Sequence, residues 1–145
     1  MRQKISVTTD SAIFVGQKKD IKILLVQRKV DPFKGQWALP GGFLETEEPF
    51  EDGAKRELRE ETGLLISSLT QLKTYGTPGR DPRGRTITIA FVGELQSEEK
   101  VNAADDAADA KWFDIEDLPP LAFDHDEVVQ DAIAYFKSKN KSKNN

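Results

Sequence analysis

Residues 42–64 read GFLETEEPFEDGAKRELREETGL, and the spacing inside this stretch decides how the chain is built. Pro49 suits a first helical position, where its missing N–H costs nothing. Gly63 suits the left-handed residue that closes a helix. Residues 49–62 are therefore predicted to be helical. Phe50, Ala54 and Leu58 recur every four residues and make one apolar stripe. Gly53 costs a helix interior up to about 1 kcal/mol against alanine, so a close approach to a neighbouring sheet is expected there. Glu57, Glu60 and Glu61 stand at i, i+3 and i+4 and share one face. Three carboxylates so placed repel one another, and a hard divalent cation removes the repulsion. Magnesium takes oxygen ligands of this kind together with substrate phosphate. A solvated acidic helix face is the competing reading, and Gly41-Gly42 just upstream, in the turn-rich segment Leu39-Pro40-Gly41-Gly42, weighs against it.

Working outward, the chain has 145 residues, enough for one domain with a real core. It has no cysteine, which removes disulfides, thiolate metal sites and thiol nucleophiles, and fits a reducing cytoplasm. No apolar run approaches a membrane span, and the first ten residues lack the apolar core of a signal peptide. With 21 basic and 25 acidic residues the net charge is −4, a poor endowment for broad nucleic-acid binding. An anionic ligand must then be attracted by metal ions and a few placed arginines.

Strands are expected over residues 5–16, 21–27, 37–39 and 85–95, with one or two more within 64–74 and a short one at 111–114. Residues 76–84, GTPGRDPRG, form a loop, and residues 96–109 are expected to be irregular. A second amphipathic helix is predicted over residues 124–137. The last residues, KSKNKSKNN, are of low complexity and read as a disordered, solubilising basic tail over 138–145. Strands surrounding two helices indicate an α/β or α+β class with a layered sheet.

Gly42, Glu48, Arg56-Glu57-Leu58, Glu60-Glu61 and Gly63-Leu64 together resemble the Nudix box at every fixed position. The resemblance implies the Nudix fold, a mixed sheet in an α/β/α sandwich with a loop–helix–loop catalytic motif, over residues 1–137. It implies hydrolysis of a nucleoside diphosphate linked to another moiety, dependent on Mg2+ with Mn2+ as a substitute. It implies that Glu57, Glu60 and Glu61 are the metal ligands and catalytic carboxylates, joined by the backbone carbonyl of Gly41. Arg56 then ties the motif together through Asp52, Glu60 or Glu48, and Glu48 takes a helix-start or peripheral metal role. The general base is a box glutamate or a later carboxylate. Asp106, six residues before Trp112, resembles the downstream carboxylate ligand of MutT-like members. An acidic loop in water is the other reading of Asp105, Asp106 and Asp109.

Substrate choice must come from other segments. Pro78, 15 residues beyond Gly63, the loop from Gly79 to Arg85, and Leu121-Ala122-Phe123-Asp124-His125 resemble the ADP-ribose pyrophosphatase-like subgroup. Arg80, Arg83 and Arg85 suit diphosphate or terminal-ribose recognition, because guanidinium forks match phosphate oxygens. Arg28 is placed to reach a phosphate, with a surface charge as its bland reading. His125, the only histidine, is a substrate contact or a helix cap. Phe33, Trp37 and Tyr75 are candidates to stack on adenine, although core packing explains Trp37 equally well. ADP-ribose cleavage to AMP and ribose 5-phosphate is the leading expectation. A house-cleaning hydrolase of oxidised nucleoside triphosphates and a non-catalytic ADP-ribose sensor are the alternatives. The expected partner is a small nucleotide, without nucleic acid or membrane, in a cytoplasmic protein for which the subgroup implies a homodimer.

Overall fold

The computed structural model describes residues 2–103 and 107–143. Among these, the elements follow in the order β1 (Ser6–Val15), β2 (Lys22–Arg28), β3 (Trp37–Ala38), β4 (Gly41–Phe43), α1 (Phe50–Thr62), β5 (Thr70–Tyr75), β6 (Thr86–Leu95), β7 (Ala107–Asp114) and α2 (His125–Lys143). The seven strands form one sheet in the order β3-β2-β1-β6-β5, with β4 also pairing β1 and β7 also pairing β2. β1 and β6 run parallel, and the other pairs are antiparallel.

The central strands are apolar on both faces because both faces are covered. Ile13, Leu24, Ile89 and Phe91 point to one side and pack with Ala54 and Leu58 of α1. Ala12, Phe14, Ile23, Leu25, Ala90 and Val92 point to the other side and pack with Val128, Val129, Ala132 and Phe136 of α2. The Phe14 and Phe136 rings stack with centroids 4.5 Å apart. This is the α/β/α sandwich expected from the box.

Several local expectations change. Phe50 is 47% exposed and leaves the stripe of α1, whose buried residues are Gly53, Ala54, Leu58 and Thr62. The Thr62 hydroxyl can be buried because it donates to the Leu58 carbonyl at 2.6 Å. Gly53 makes its close approach to the loop before the helix, not to the sheet. A Cβ there would lie 2.5 Å from the Leu44 side chain and 3.0 Å from the Glu48 carboxylate. Gly63 does close α1 in the left-handed region, with φ of 78°. The Pro-Gly-Gly segment is not only a turn, since Gly41 and Gly42 pair with Asp10 and Thr9 of β1. The last strand begins at Ala107, earlier than expected, because β2 continues to offer it partners as far as Arg28.

The disordered tail expected over 138–145 is corrected for its described part, since α2 runs on to Lys143. Nothing between Lys137 and Lys143 breaks a helix, and lysine is a good helix former. Ser138, Lys139 and Lys141 are exposed there, as a solvated helical extension requires.

Candidate active site

The sheet face covered by α2 changes character where that helix begins. Ala12, Phe14, Ala90 and Val92 lie beneath α2. One or two residue pairs further along the same face come Asp10, Thr8 and Thr88. They form the polar floor of a cleft of about 440 Å3. The Thr8 and Thr88 hydroxyls satisfy each other at 2.6 Å. Asp10 is 6% exposed, and its Oδ2 lies 3.2 Å from His125 Nε2. His125 Nδ1 accepts the Leu39 backbone N–H at 3.0 Å. Its ring hydrogen therefore sits on Nε2 and points at Asp10.

The wall facing α1 carries the carboxylates. Glu57 and Glu61 line the cleft, and Glu61 accepts the Gly41 backbone N–H at 2.8 Å. Gly41 and Gly42 have no side chain because carboxylates occupy that space. A Cβ on Gly42 would sit 2.8 Å from the Glu57 carboxylate, and one on Gly41 would sit 2.1 Å from Asp10 Oδ1. Gly42 thus lies against Glu57, while Gly41 lies against Asp10 and the Thr9 carbonyl of β1. Burial pushes the Glu57 carboxyl above the usual range, against the lowering effect of Arg56 and with added repulsion from Glu60 and Glu48. Glu60 is outside the cleft lining, and its Oε2 accepts from Arg56 Nη1 at 3.0 Å.

Arg56 organises this wall. Its Nε and Nη2 grip both oxygens of Glu48, at 2.7 and 3.0 Å. Nη1 also donates to Glu57 at 2.9 Å, and Nη2 to the Phe43 carbonyl at 3.2 Å. Asp52 is not among its partners. The bonds from Arg56 hold the Glu48 carboxyl below its ordinary range.

The opposite wall is cationic and aromatic. The Phe123 ring has the Arg28 guanidinium at 4.9 Å and the Arg83 guanidinium at 4.9 Å. Arg83 also lies 4.7 Å from the Phe43 ring centroid. Arg83 is aimed by a two-point pair with Asp81, at 3.0 and 2.8 Å. Arg28 Nε donates to the Pro32 carbonyl at 2.6 Å. Burial and the nearby Arg83 charge lower the Arg28 pKa from its ordinary value. Charged side chains so placed favour an anion between them.

The NUDIX domain model matches residues 6–132. The chain belongs to the Nudix family. This Nudix chain is 47% identical over 123 residues to the ADP-ribose pyrophosphatase of Methanocaldococcus jannaschii, covering 85% of this chain and 70% of that one. It is 34% identical over 137 residues to the ADPR responsive transcriptional repressor NtrR of Acinetobacter baylyi, covering 92% of this chain and 55% of the repressor. The NUDIX domain of Shewanella oneidensis NrtR, solved in complex with ADP ribose, superposes with a TM-score of 0.86 at 32% identity. That match covers 93% of this chain and 90% of that one.

Within the Nudix site, the structure sorts the predicted residues. Glu57, Glu61, Gly41, Arg28, Arg80, Arg83 and His125 line one cleft. Arg80 is a brace, bound through Nε and Nη2 to Asp124 at 2.8 and 2.7 Å with a side chain only 5% exposed. His125 has both ring nitrogens engaged by the protein, Nε2 beside Asp10 and Nδ1 on the Leu39 N–H. Phe33 lies behind the wall, edge-on to Phe123 with centroids 4.8 Å apart, so the cleft rings are Phe123 and Phe43. Trp37 packs on Phe113, and the Tyr75 hydroxyl donates to Asp131 at 2.7 Å, so neither faces the cleft. Asp106 lies outside the described residues. Asp10, Thr8, Thr88, Phe43 and Phe123 were missed. An aspartate inside the otherwise uncharged strand SVTTDSAIFV was the available signal, since a buried charge needs a reason.

Arg85 leaves the site altogether, because its Nη1 donates to the Gly76 carbonyl at 2.6 Å and it does not line the cleft. Arg85→Ala is accordingly expected to keep kcat/KM within about twofold, whereas Arg28→Ala lowers it by about tenfold or more, the loss typical of a charged hydrogen bond. Equal losses in steady-state kinetics of the two variants would contradict this sorting.

Proposed function

We propose that this chain hydrolyses ADP-ribose to AMP and ribose 5-phosphate with magnesium, manganese being the substitute. The observation that carries the proposal is the single cleft shared by the box carboxylates Glu57 and Glu61 and the arginines Arg28 and Arg83. The identity with the archaeal ADP-ribose pyrophosphatase supports the choice of substrate.

The donor set fits a divalent cation. Two box carboxylates line the same wall, the third is held beside them by Arg56, and all supply the oxygen atoms that magnesium prefers. Among the described residues, no three acidic or histidine side chains already surround a single point. Glu57, Glu60 and Glu61, with the Gly41 carbonyl, would hold the ions. When bound, such ions neutralise diphosphate oxygens and lower the pKa of a coordinated water. Arg28 and Arg83 draw the diphosphate into the cleft and fix its direction. Phe123 and Phe43 bring aromatic surface into the same cleft, beside the Arg28 and Arg83 guanidinium groups. A carboxylate takes the proton of the attacking water, and either a box glutamate or Asp106 fills that role.

A small nucleotide is the proposed partner, and the net charge of −4 speaks against nucleic acid. The cysteine-free composition supports a cytoplasmic setting. A homodimer is the proposed assembly, which light scattering tests. No helix among the described residues is long and apolar enough to cross a membrane.

A substrate panel tests the proposed activity. ADP-ribose should show a higher kcat/KM than any nucleoside triphosphate, NADH or diadenosine polyphosphate tested. A site that hydrogen-bonds a second ribose leaves those polar groups unpaired when a triphosphate enters. A preference for 8-oxo-dGTP would overturn the assignment and leave the Nudix family membership intact.

A further inference from the structure

From the cleft floor we infer that Asp10 is a specificity-determining residue whose carboxylate accepts hydrogen bonds from a ribose diol of the nucleotide substrate. The inference rests on the proposed function and adds the part of the substrate that is read.

Its starting point is a conflict of charge. The cleft gathers Arg28 and Arg83, which favour phosphate, yet a carboxylate occupies its floor. A phosphate beside Asp10 would meet like charge in a poorly hydrated place, where repulsion is strong. A group that presents O–H donors meets an acceptor there instead. Sugar hydroxyls are the donors that a nucleotide carries besides its base.

Asp10 is held ready for that contact. His125 Nε2 lies 3.2 Å from Oδ2, and the imidazole is fixed in turn by the Leu39 N–H at 3.0 Å. His125 itself is anchored by its chain neighbours, since the Ala122 N–H donates to the Trp37 carbonyl at 2.8 Å. The missing side chain of Gly41 leaves the space that Oδ1 fills. A carboxylate oriented this closely loses little freedom when a ligand binds, which is how a polar group gains selectivity.

A metal-ligand role for Asp10 is the main rival, and the contacts of the carboxylates oppose it. Glu57 lies against Gly42 and Asp10 against Gly41. Glu61 is turned to the Gly41 N–H and Glu57 to Arg56, so neither box carboxylate is paired with Asp10 across β4. Asp10 is also already committed to His125, which lies on the α2 side of the sheet.

The test compares wild type and Asp10→Asn on three compounds. They are ADP-ribose, the β-methyl ester of ADP, which lacks the second ribose, and ADP-ribose with a 2′,3′-dideoxyadenosine. Asparagine keeps the shape and can still accept from His125. Asp10→Asn should lower kcat/KM for ADP-ribose by about tenfold or more, mainly through KM, because binding is what is lost. For the one analogue that lacks the contacted diol, the same substitution should change kcat/KM by less than about twofold, since the partner is already gone. Manganese affinity, read by electron paramagnetic resonance, should be the same in both proteins. Equal losses on all three compounds, or weakened manganese binding, would overturn the inference. If Asp10→Asn does not fold, wild type alone decides, because it must discriminate against one analogue by about tenfold or more. Should wild type fail to cleave ADP-ribose, the proposed function is refuted separately. ATP and 2′,3′-dideoxy-ATP then measure the Asp10 contact in the same way.

Discussion

Replacing Glu61 by glutamine is expected to lower kcat by at least about 100-fold while the fold is retained. Glu61 lines the cleft and accepts the Gly41 N–H at 2.8 Å. A glutamine oxygen can accept that same bond, so the link between α1 and β4 survives. The negative charge is what disappears, and with it one of the oxygens suited to a divalent ion. Circular dichroism and a thermal melt close to wild type would verify the fold. Turnover near the wild-type rate at ordinary magnesium concentration would remove α1 from the chemistry.

The second large effect is on stability. Arg56→Ala is expected to cost about 3 kcal/mol in urea unfolding, because a shielded ion network loses the guanidinium that holds it. The Arg56 side chain is 15% exposed and the Glu48 and Glu57 side chains 13% and 16%. Without the guanidinium, Glu48, Glu57 and Glu60 face one another, and the Phe43 carbonyl loses its donor. Arg56→Lys should recover little, since an ammonium cannot form the two-point grip on Glu48. Magnesium should restore part of the loss, as a cation among the same carboxylates. The pH dependence follows from Glu48, whose carboxyl Arg56 holds below its ordinary range. That contribution is fully present above the ordinary glutamate pKa and disappears as pH falls through the depressed value in the folded protein. The wild-type advantage over Arg56→Ala should therefore shrink in acid. A stability change below about 0.5 kcal/mol at neutral pH would place Arg56 among ordinary surface charges.

The parts of the site that were legible in the sequence are the local ones. Glu57, Glu60 and Glu61 lie within two turns, so helical spacing alone puts them on one face. Gly63 could be read as a helix end because few other residues take that conformation cheaply. Local reading failed where a distant partner decides the outcome. Asp10 belongs to the site only because α2 brings His125 back to β1 and Gly41 leaves room for its carboxylate. The three loop arginines look alike in sequence, yet Asp124 engages Arg80, Asp81 engages Arg83, and the Gly76 carbonyl takes Arg85. Phe33 reads as a stacking ring in the sequence, but the loops pack it edge-on behind Phe123, which lines the cleft in its place. Phe50 fitted the helical period but lies at the first turn of α1, beyond the sheet that covers Ala54 and Leu58.

On the proposed function, one cleft both holds and cuts the diphosphate of ADP-ribose. Phosphorus NMR of ADP-ribose incubated with the protein and magnesium tests it most directly. The diphosphate resonances should give way to those of AMP and ribose 5-phosphate in equal amounts. No conversion should occur when the metal is chelated or when Glu61→Gln replaces wild type. ADP-ribose that binds and stays intact in the presence of magnesium would contradict the account and identify a sensor in place of a hydrolase.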